Sequence, residues 1–256
     1  MTGGPAAGAD ALSIVVPAYN EARRLTHLFK ELERNADGVA ESAGFRLQEV
    51  IVVDDGSTDR TAELLDSYEG LDGRLRVIHL PRNRGKGAAV KEGVLAAAGA
   101  FALVTDVDLS TPLEDLRALA GDTGPTIDVA IASRALPGSR VLVRQPAHRE
   151  LMGKTFNLVL RFLTRLPYRD TQCGFKLFRL ETSRVPFQRQ RVSGFAYDAE
   201  VCVLALQLGL GVVEVPIRWT NHPDTRVRLI GSSTRMALDL LRIAWLARRP
   251  IMQTHM

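Results

Sequence analysis

The sequence predicts a single α/β domain with a mostly parallel central sheet flanked by helices. Its 256 residues are 46% hydrophobic and 24% charged, which suits one large domain with a substantial core. Short apolar runs alternate with helical periodicity through the first half, as in right-handed βαβ units. Polar residues directly follow these apolar runs, and open α/β sheets bind ligands at that carboxyl edge.

The first half of the chain alternates between strands and helices. The apolar burst that starts at Ser13 predicts a buried strand, with a loop after Pro17. Apolar residues at i, i+3, i+4 and i+7 predict a helix over residues 21–34. The same patterns predict strands over 49–53, 75–80, 101–108 and 127–133, and helices over 59–68 and 88–98.

The second half has a less regular pattern. A basic loop over residues 135–146 precedes a predicted helix over 149–166, which carries a broad apolar stripe. A helix over 201–208, a strand over 212–217 and a final amphipathic helix over 232–247 follow. Residues 1–11 are rich in Gly and Ala and lack the charged and apolar regions of a signal peptide, so a disordered tail is predicted there.

Composition limits the classes of function without choosing among them. The net charge of +4 and the pI of about 9.3 are compatible with nucleic acid, anionic lipid or phosphorylated substrates. Cys173 and Cys202 form neither a disulfide framework nor a metal-finger pattern, so a reducing cytoplasm is expected. No segment reaches the roughly 18 apolar residues of a membrane span, so a soluble or peripheral protein is expected.

Asp106 and Asp108 carry the strongest indication of chemistry. At the end of a strand over 101–108, residues i and i+2 point to the same side, so the two carboxylates would converge. Two close carboxylates repel each other unless a cation lies between them. Hard oxygen ligands suit Mg²⁺ or Mn²⁺, ions that usually also hold substrate phosphates. The alternative is a solvated turn at a strand end.

Other polar clusters follow the other predicted strands. Residues 19–21, Asp54 with Asp55, residues 84–86, and Arg134 each come directly after an apolar run. Parallel strands bring such loops to one edge of the sheet, whereas each cluster alone would be an ordinary strand-to-helix turn. The sequence therefore predicts a ligand site that several loops assemble at the carboxyl edge.

Four motifs, in order and spacing, resemble inverting glycosyltransferases of family 2 with the GT-A (nucleotide-diphospho-sugar transferase) fold. They are residues 14–21 (IVVPAYNE), 53–59 (VDDGSTD), 83–87 (NRGKG) and 106–108 (DVD). Residues 170–178, 195–200 and 215–220 are similar to dolichyl-phosphate glucosyltransferases and their prokaryotic polyprenyl-phosphate relatives. The resemblance implies an enzyme that moves a hexose from a nucleotide diphosphate sugar to a polyprenyl (dolichyl-type) phosphate.

The resemblance also implies a division of the chain and a set of donor-side residues. It implies a catalytic domain over 12–231, with a nucleotide-sugar half (12–134) and an acceptor half (135–231), and a C-terminal helix and tail over 232–256. Asp106 and Asp108 of the D-x-D motif are implied to bind Mg²⁺ or Mn²⁺, and Ser110 stands where some relatives place a third ligand. The residues implied to hold the nucleotide sugar are Pro17, Tyr19, Glu21, Asp54, Asp55, Lys86 (near the base or ribose), Asp106 and Val107.

The acceptor side needs cations more than it needs a base. A lipid phosphate is already anionic near pH 7, because its second pKa is roughly 6. Cations must reduce its repulsion from the donor and align it, and arginine binds phosphate best where bidentate geometry matters. Asp198 matches the family position of a catalytic or acceptor-orienting carboxylate; the alternative is an ordinary acid in the first turn of a helix. The predicted phosphate-binding residues are Arg134, Arg149, Lys176, Arg218 and Arg226, and the predicted catalytic set is Asp108, Asp198, Arg134 and Arg218.

Many relatives carry transmembrane helices, and this chain departs from that pattern. Its amphipathic stretches over 149–166 and 232–249 are predicted to dock on the cytoplasmic face of the membrane, unless a membrane-anchored partner protein does so instead. Core packing of the first stretch, and arginines that complement the helix dipole in the second, are the alternative explanations.

Other functions stay open from the sequence. The acceptor could be a soluble molecule or a polysaccharide, and the sugar could be N-acetylhexosamine or mannose instead of glucose from UDP-glucose. A nucleotide-sensing or receiver-like module would leave the D-x-D motif and the second half unexplained. Nucleic-acid binding would leave the aspartates unexplained, so no such partner is expected. An NAD-binding enzyme is disfavoured because no G-x-G-x-x-G motif follows the first strand.

Overall fold

A computed structural model gives the fold, and it describes residues 9–122, 127–222 and 229–248. The strands are β1 (Asp10–Ala18), β2 (Phe45–Asp54), β3 (Leu75–His79), β4 (Phe101–Val104), β5 (Val129–Ser133), β6 (Arg140–Val143), β7 (Lys176–Arg179), β8 (Val212–Pro216) and β9 (Arg218–Thr220). The helices are α1 (Ala22–Ser42), α2 (Thr61–Asp66), α3 (Lys86–Ala96), α4 (Leu116–Asp122), α5 (Ala147–Thr164), α6 (Leu180–Arg189), α7 (Tyr197–Gln207) and α8 (Leu229–Ala247).

A seven-stranded sheet in the order β3-β2-β1-β4-β7-β5-β8 forms the centre of the protein, and β7 alone in it runs antiparallel to its neighbours. β1 lies between β2 and β4 and is parallel to both. The chain leaves β1 towards β2 and β3, then returns to β4 on the other side. The loops after β1 and β4 therefore diverge and leave a crevice at the carboxyl edge. The predicted α/β fold with a mostly parallel sheet is confirmed.

The sheet is buried on both faces. Ile14 and Val16 of β1 belong to an apolar cluster with α1, α2 and α4. Val15, between them, belongs to a second cluster with α3 and α5–α8. Alternate residues of the strands thus face two helical layers, which explains why the strands appear in the sequence as continuous apolar runs.

The antiparallel strand β7 was not predicted, yet it completes the carboxyl edge. Its first residue, Lys176, pairs with Val104 at the end of β4 and with Ile131 of β5. The preceding segment, residues 170–175, therefore arrives at the same edge as the loops that follow the parallel strands. β7 has only four residues and begins with a buried lysine, so no continuous apolar run marks it in the sequence.

The ends of several elements differ from the predictions. β1 begins at Asp10, inside the predicted tail, because Asp10 and Ala11 pair with β2; residues 1–8 of that tail lie outside the described residues. α1 continues past residue 34 to Ser42, since Ala36, Val39 and Ala40 extend its buried stripe. The predicted loop over 135–146 contains β6, which pairs in parallel with β9 in a separate two-stranded sheet. β6 is exposed along its length, so no alternation of apolar residues marks it.

The two cysteines are free thiols, and both are buried. Burial raises the pKa of both, that of Cys202 to about 12. Within residues 9–122, 127–222 and 229–248, no helix is both long enough and apolar enough to cross a membrane.

Gly93→Ala is expected to destabilise the protein, although alanine favours helices more than glycine does. A Cβ at Gly93 of α3 would collide with Cγ1 of Val15 and lie 3.0 Å from Cγ2 of Val53, and both valines are fully buried. Overpacking of this kind costs about 1–3 kcal/mol. That exceeds the gain of roughly 0.5–1 kcal/mol from helix propensity. The free energy of unfolding in urea measures the net effect.

Gly38→Ala is the matched control. Gly38 is exposed on α1, and a Cβ there would meet no atom within 4 Å. The substitution is therefore expected to raise the free energy of unfolding by about 0.5–1 kcal/mol. Equal changes for the two substitutions would contradict the close packing of α3 on β1.

Candidate active site

The D-x-D turn follows β4 at the centre of the carboxyl edge. β4 ends at Val104, so Asp106 and Asp108 lie in a turn; the prediction that strand alternation makes their carboxylates converge was wrong. The turn depends instead on Leu109, which has a φ of 47°, and on Ser110, whose N–H donates to Oδ1 of Asp108 at 3.0 Å. A positive φ at leucine is strained, and such strain clusters at functional sites.

Val107 has a structural place in this turn. Its side chain is buried in the apolar cluster that includes α1, which anchors the turn between the two aspartates. The predicted contact of Val107 with the nucleotide sugar can therefore involve its backbone but not its side chain.

Lys86, the first residue of α3, lies beside Asp106. Its Nζ is 2.6 Å from Oδ1 of Asp106. Burial alone would lower the pKa of Lys86, but Asp106, Asp198 and Asp108 outweigh it and raise that pKa. Burial alone would raise the pKa of Asp106, but Lys86 outweighs it and lowers that pKa. Both groups are thus charged, and the structure places Lys86 beside the D-x-D turn. Its contact with the base or ribose of a nucleotide stays a prediction.

Gly174, in the segment before β7, lies directly against Asp106. A Cβ at this position would collide with the Asp106 carboxylate. Because glycine has no side chain, this position leaves space for the contact between the Asp106 carboxylate and Lys86. The sequence contained a signal for it, because Gly174 is part of the motif at residues 170–178.

Asp198 and Lys176 form a buried ion pair beneath the crevice. Asp198 lies in the first turn of α7, and Lys176 donates to its carboxylate and to the carbonyl of Cys173. Only 2% of the Lys176 side chain is exposed. Burial raises the pKa of Asp198, although Lys176 and Lys86 oppose that rise. The sequence analysis predicted that Lys176 binds the acceptor phosphate. Because Lys176 is buried in this ion pair, the structure does not present it for that contact.

Arg134 follows β5 and is held rigidly by Asp170. Its backbone N–H and Nε donate to Oδ2 of Asp170 at 3.1 and 2.6 Å, and its Nη2 donates to Oδ1 at 2.9 Å. Its guanidinium also lies 5.4 Å from the centre of the Trp219 ring. Among the residues that the structure describes, none accepts a hydrogen bond from Nη1. Arg134 is near enough to help lower the pKa of Asp106, so its charge acts at the D-x-D turn.

Arg218 repeats this arrangement on β9. Its backbone N–H donates to Oδ2 of Asp115 at 2.6 Å, and its Nε donates to Oδ1 at 2.8 Å. Thr220 of the same strand donates its N–H to the carbonyl of Ser110 at 2.8 Å. β9 is thus tied to the segment that follows the D-x-D turn, while 45% of the Arg218 side chain stays exposed.

Asp54 and Asp55, at the end of β2, are both buried and both hydrogen-bonded. Asp55 accepts the N–H groups of Arg84 and Gly85 at 2.7 and 2.8 Å, which fixes the entry into α3. Burial raises the pKa of Asp55. Oδ1 of Asp54 accepts the N–H of Ser57 at 3.0 Å. The structure thus gives Asp55 a role in shaping the loop that presents Lys86.

The loop after β1 forms the other wall of the crevice. Tyr19 is exposed, and Pro17 and Glu21 are partly buried. Burial raises the pKa of Glu21; Arg24 opposes the rise, and Asp108 and Asp106 add to it. Glu21 is therefore close to the D-x-D turn, as the shared sheet edge predicted.

His79, at the end of β3, is a site residue that the sequence analysis missed. Its Nδ1 lies 3.1 Å from Oδ2 of Asp54, and its Nε2 lies 2.9 Å from Oδ1 of Asp66. Burial alone would lower the pKa of His79, but its hydrogen bonds to the two aspartates raise it above the ordinary value of 6.5. No motif marks this histidine, and only the pairing of β2 with β3 brings it to Asp54.

The remaining predicted residues are not brought into the crevice by a described contact. Arg149 lies in the first turn of α5, partly buried. Arg226 lies outside the described residues. Asp115 and Asp170, which fix the two arginines, were not assigned a role from the sequence, because carboxylates that bind arginine across separate loops leave no local pattern.

The chemistry of the D-x-D turn fits a hard divalent cation. Asp106 is ionised, and Asp108 adds a second carboxylate two residues later. In the described part of the chain, no three His, Cys, Asp or Glu side chains are arranged to hold a metal by themselves. Mg²⁺ is commonly held by one or two carboxylates together with substrate phosphates and water, and two aspartates suffice for that arrangement.

Comparison with known proteins identifies the family. The family model described as "Glycosyl transferase family 2" matches residues 13–184. Dolichyl-phosphate beta-glucosyltransferase ALG5C of Trichomonas vaginalis is 36% identical over 242 residues, which cover 91% of this chain and 70% of that protein. Dolichyl-phosphate beta-glucosyltransferase of Homo sapiens is 33% identical over 241 residues, which cover 91% of this chain and 74% of that protein.

Solved structures show the same fold. Glucosyl-3-phosphoglycerate synthase of Mycobacterium tuberculosis, in complex with Mn²⁺, UDP and glucosyl-3-phosphoglycerate, has a TM-score of 0.66 at 20% identity, covering 92% of this chain and 80% of that one. The complex of that enzyme with Mn²⁺ and UDP-glucose has a TM-score of 0.65 at 20% identity, covering 92% and 79%. This likeness establishes the GT-A fold. With the match of the family model and the two relatives, it makes this protein a glycosyltransferase of family 2.

Proposed function

We propose that this protein transfers glucose, with inversion, from UDP-glucose to the phosphate of a polyprenyl (dolichyl-type) lipid. The observation that carries the proposal is the arrangement of charge in the crevice: the carboxylates of the D-x-D turn lie beside Lys86 and near Arg134, which Asp170 holds in place. This arrangement suits a reaction between two phosphate-bearing substrates. The acceptor named for the relatives and the UDP-glucose bound to the mycobacterial enzyme support it.

On the donor side, Asp106 and Asp108 would hold Mg²⁺ or Mn²⁺ against the diphosphate. The cation would offset the negative charge that grows on the departing nucleoside diphosphate. Lys86 keeps Asp106 ionised and places a second positive charge at the same point. We assign the nucleoside to the side of the crevice that holds the exposed Tyr19 and the loop after β2, in which buried Asp54 accepts the N–H of Ser57.

On the acceptor side, Arg134 and Arg218 would bind the lipid phosphate. In each case one aspartate accepts hydrogen bonds from both the backbone N–H and the guanidinium of the arginine, so the orientation of the arginine is fixed before the substrate binds. An ionised phosphate needs alignment and reduced repulsion more than it needs a base. Asp198 and Lys176 are buried beneath these groups, so we assign them the role of positioning Lys86 and the D-x-D turn.

A soluble phosphorylated acceptor is the second candidate, because the structural neighbours carry glucosyl-3-phosphoglycerate or phosphoglyceric acid. The same arginines would bind that phosphate. For the preferred lipid acceptor, we propose that the protein works at the cytoplasmic face of the membrane by direct contact, and not through a membrane-anchored partner.

A donor and acceptor panel tests the function. With short-chain polyprenyl phosphate and Mn²⁺ or Mg²⁺, we expect a lipid-linked sugar from UDP-glucose and not from UDP-N-acetylglucosamine or GDP-mannose. Transfer to 3-phosphoglycerate but not to the lipid would contradict the lipid acceptor. Product from a different donor would contradict the assignment of glucose.

Asp108→Asn is expected to lower kcat/KM by at least about 100-fold, the size of effect seen when a group that stabilises developing charge is lost. The variant is also expected to bind Mn²⁺ more weakly in the presence of UDP, which electron paramagnetic resonance measures without turnover. Asp37→Asn makes the same chemical change in an exposed ion pair with Arg74, away from the crevice, and serves as the control. Unchanged Mn²⁺ binding in Asp108→Asn would argue against the metal site.

His79→Gln is expected to raise KM for the nucleotide sugar several-fold and to leave kcat nearly unchanged, because protonated His79 fixes Asp54. The pKa of His79 is raised by folding, so its stabilisation is complete below about pH 6.5 and disappears as the pH rises through the folded pKa. In the wild type, KM should therefore rise and the free energy of unfolding should fall as the pH increases above 6.5.

In His79→Gln the rise in KM with pH should disappear, and the fall in the free energy of unfolding should become smaller by the contribution of His79. Asp66→Asn removes the outer hydrogen bond but keeps the contact with Asp54, so it should shift the KM profile to lower pH. Identical KM profiles for the wild type and His79→Gln would show that this histidine does not position Asp54.

A further inference from the structure

The helix α5 exposes an apolar face on the outside of the protein. Leu160 and Thr164 are its buried residues. At about 100° per residue, Leu151, Leu158 and Phe162 fall on the opposite side of the helix. All three are exposed, and Phe162 keeps 84% of its surface. The face most distant from the core is therefore apolar, which is the reverse of a soluble surface helix.

The helix α8 shows the same pattern. Ile243 and Ala244 are buried, whereas Leu238, Leu241 and Trp245 are exposed on the other side. α8 packs against both α5 and α7. The two outward apolar stripes therefore lie side by side on one part of the surface.

Arginines border both stripes. Arg161 and Arg165 run along one edge of the α5 stripe, and Arg242 and Arg248 flank the α8 stripe; all four side chains are exposed. We define the docking surface as these four arginines together with six exposed apolar residues: Leu151, Leu158, Phe162, Leu238, Leu241 and Trp245. An apolar face bordered by arginine complements a bilayer that carries negative headgroups.

A cavity of about 680 Å³ opens at the border of this surface. Three arginines line it, namely Arg189 and Arg191, at and just after the end of α6, and Arg242. Glu200 also lines it, and its carboxylate accepts the N–H groups of Arg191 and Val192. Trp245 and Leu246 give it an apolar side. Arg242 and Trp245 belong to both the cavity and the docking surface, so the two features are continuous.

We propose that the protein docks directly on an anionic lipid bilayer through this surface, with the apolar stripes at the acyl boundary and the arginine-lined cavity around the phosphate of an anionic lipid. The inference rests on the proposed function, because a polyprenyl phosphate acceptor lies in a membrane. Charge complementarity favours lipid over a protein partner, since the arginines surround the apolar stripes and form part of the cavity wall.

Vesicle flotation tests the docking. The wild type is expected to float with vesicles of phosphatidylglycerol and phosphatidylcholine, and to do so much less with phosphatidylcholine alone or at high salt, which screens the arginines. The double variant Leu158→Ser with Phe162→Ser should lower partitioning at least about tenfold, because each lost apolar group weakens insertion. Arg189→Glu with Arg242→Glu should remove the preference for phosphatidylglycerol.

The control is Arg34→Glu with Arg60→Glu, which reverses two exposed arginines in the other helical layer. It should float as the wild type does. If the Leu158 and Phe162 double variant floats at the wild-type level, the assignment of the docking surface is wrong. If the wild type binds neutral vesicles equally well, the preference for an anionic lipid is wrong. Binding only to native membranes, abolished by protease treatment of those membranes, would show a protein partner instead.

Activity separates this proposal from the proposed function. With a short-chain, water-soluble polyprenyl phosphate, the Leu158 and Phe162 double variant should be as active as the wild type. With a long-chain acceptor in vesicles, it should lose at least about tenfold in rate, in line with its lost partitioning. Wild-type transfer to the soluble acceptor without vesicle binding would overturn docking alone. Vesicle binding without transfer to any lipid acceptor would overturn the proposed function alone.

Discussion

The structure of the crevice depends on a series of alternating charges that runs from Asp106 through Lys86 and Asp198 to Lys176. Asp198 and Lys176 are almost fully buried, and Lys176 and Lys86 oppose the rise that burial causes in the pKa of Asp198. Removing one partner of a buried ion pair leaves an uncompensated charge and costs about 3–5 kcal/mol. The D-x-D turn, α3, α7 and β7 each contribute one member, and none of these elements can shift without disturbing the others. The series therefore gives the turn a fixed position before any substrate binds.

The topology of the sheet makes this series possible. The loops that follow the parallel strands reach the carboxyl edge in the ordinary way, and those after β1, β2 and β4 supply Glu21, Asp55 and the D-x-D turn. In a purely parallel sheet, every segment at the carboxyl edge is a loop that follows a strand. The antiparallel β7 adds a segment that arrives at it, and this segment supplies Asp170, Gly174 and Lys176. The reversal of one strand thus brings Asp170, which orients Arg134, to the same edge of the sheet as the D-x-D turn.

Much of this arrangement follows from the sequence, but the pairings do not. The alternation of apolar runs and polar loops predicted the parallel part of the sheet and the edge at which Glu21, Lys86 and Asp106 meet. β7 was missed because it has only four residues and begins with a buried lysine. The turn after β4 was mistaken for a strand, because a positive φ at Leu109 has no signal in the residue type. The role of His79 depends on contacts between side chains from separate loops, which no local pattern encodes.

In the proposed reaction, the segment from Asp106 to Asp115 would serve both substrates. It would present the D-x-D carboxylates to the donor, and through Asp115 and the carbonyl of Ser110 it holds β9, which carries Arg218. β9 pairs with β6, and the chain continues from β6 through residues 144–146 directly into α5 of the docking surface. A lipid phosphate that leaves the bilayer beside α5 would therefore meet a strand pair whose position is already set by the segment that follows the D-x-D turn. In the proposed reaction, one continuous set of contacts would therefore position both the donor-side carboxylates and the acceptor-side Arg218.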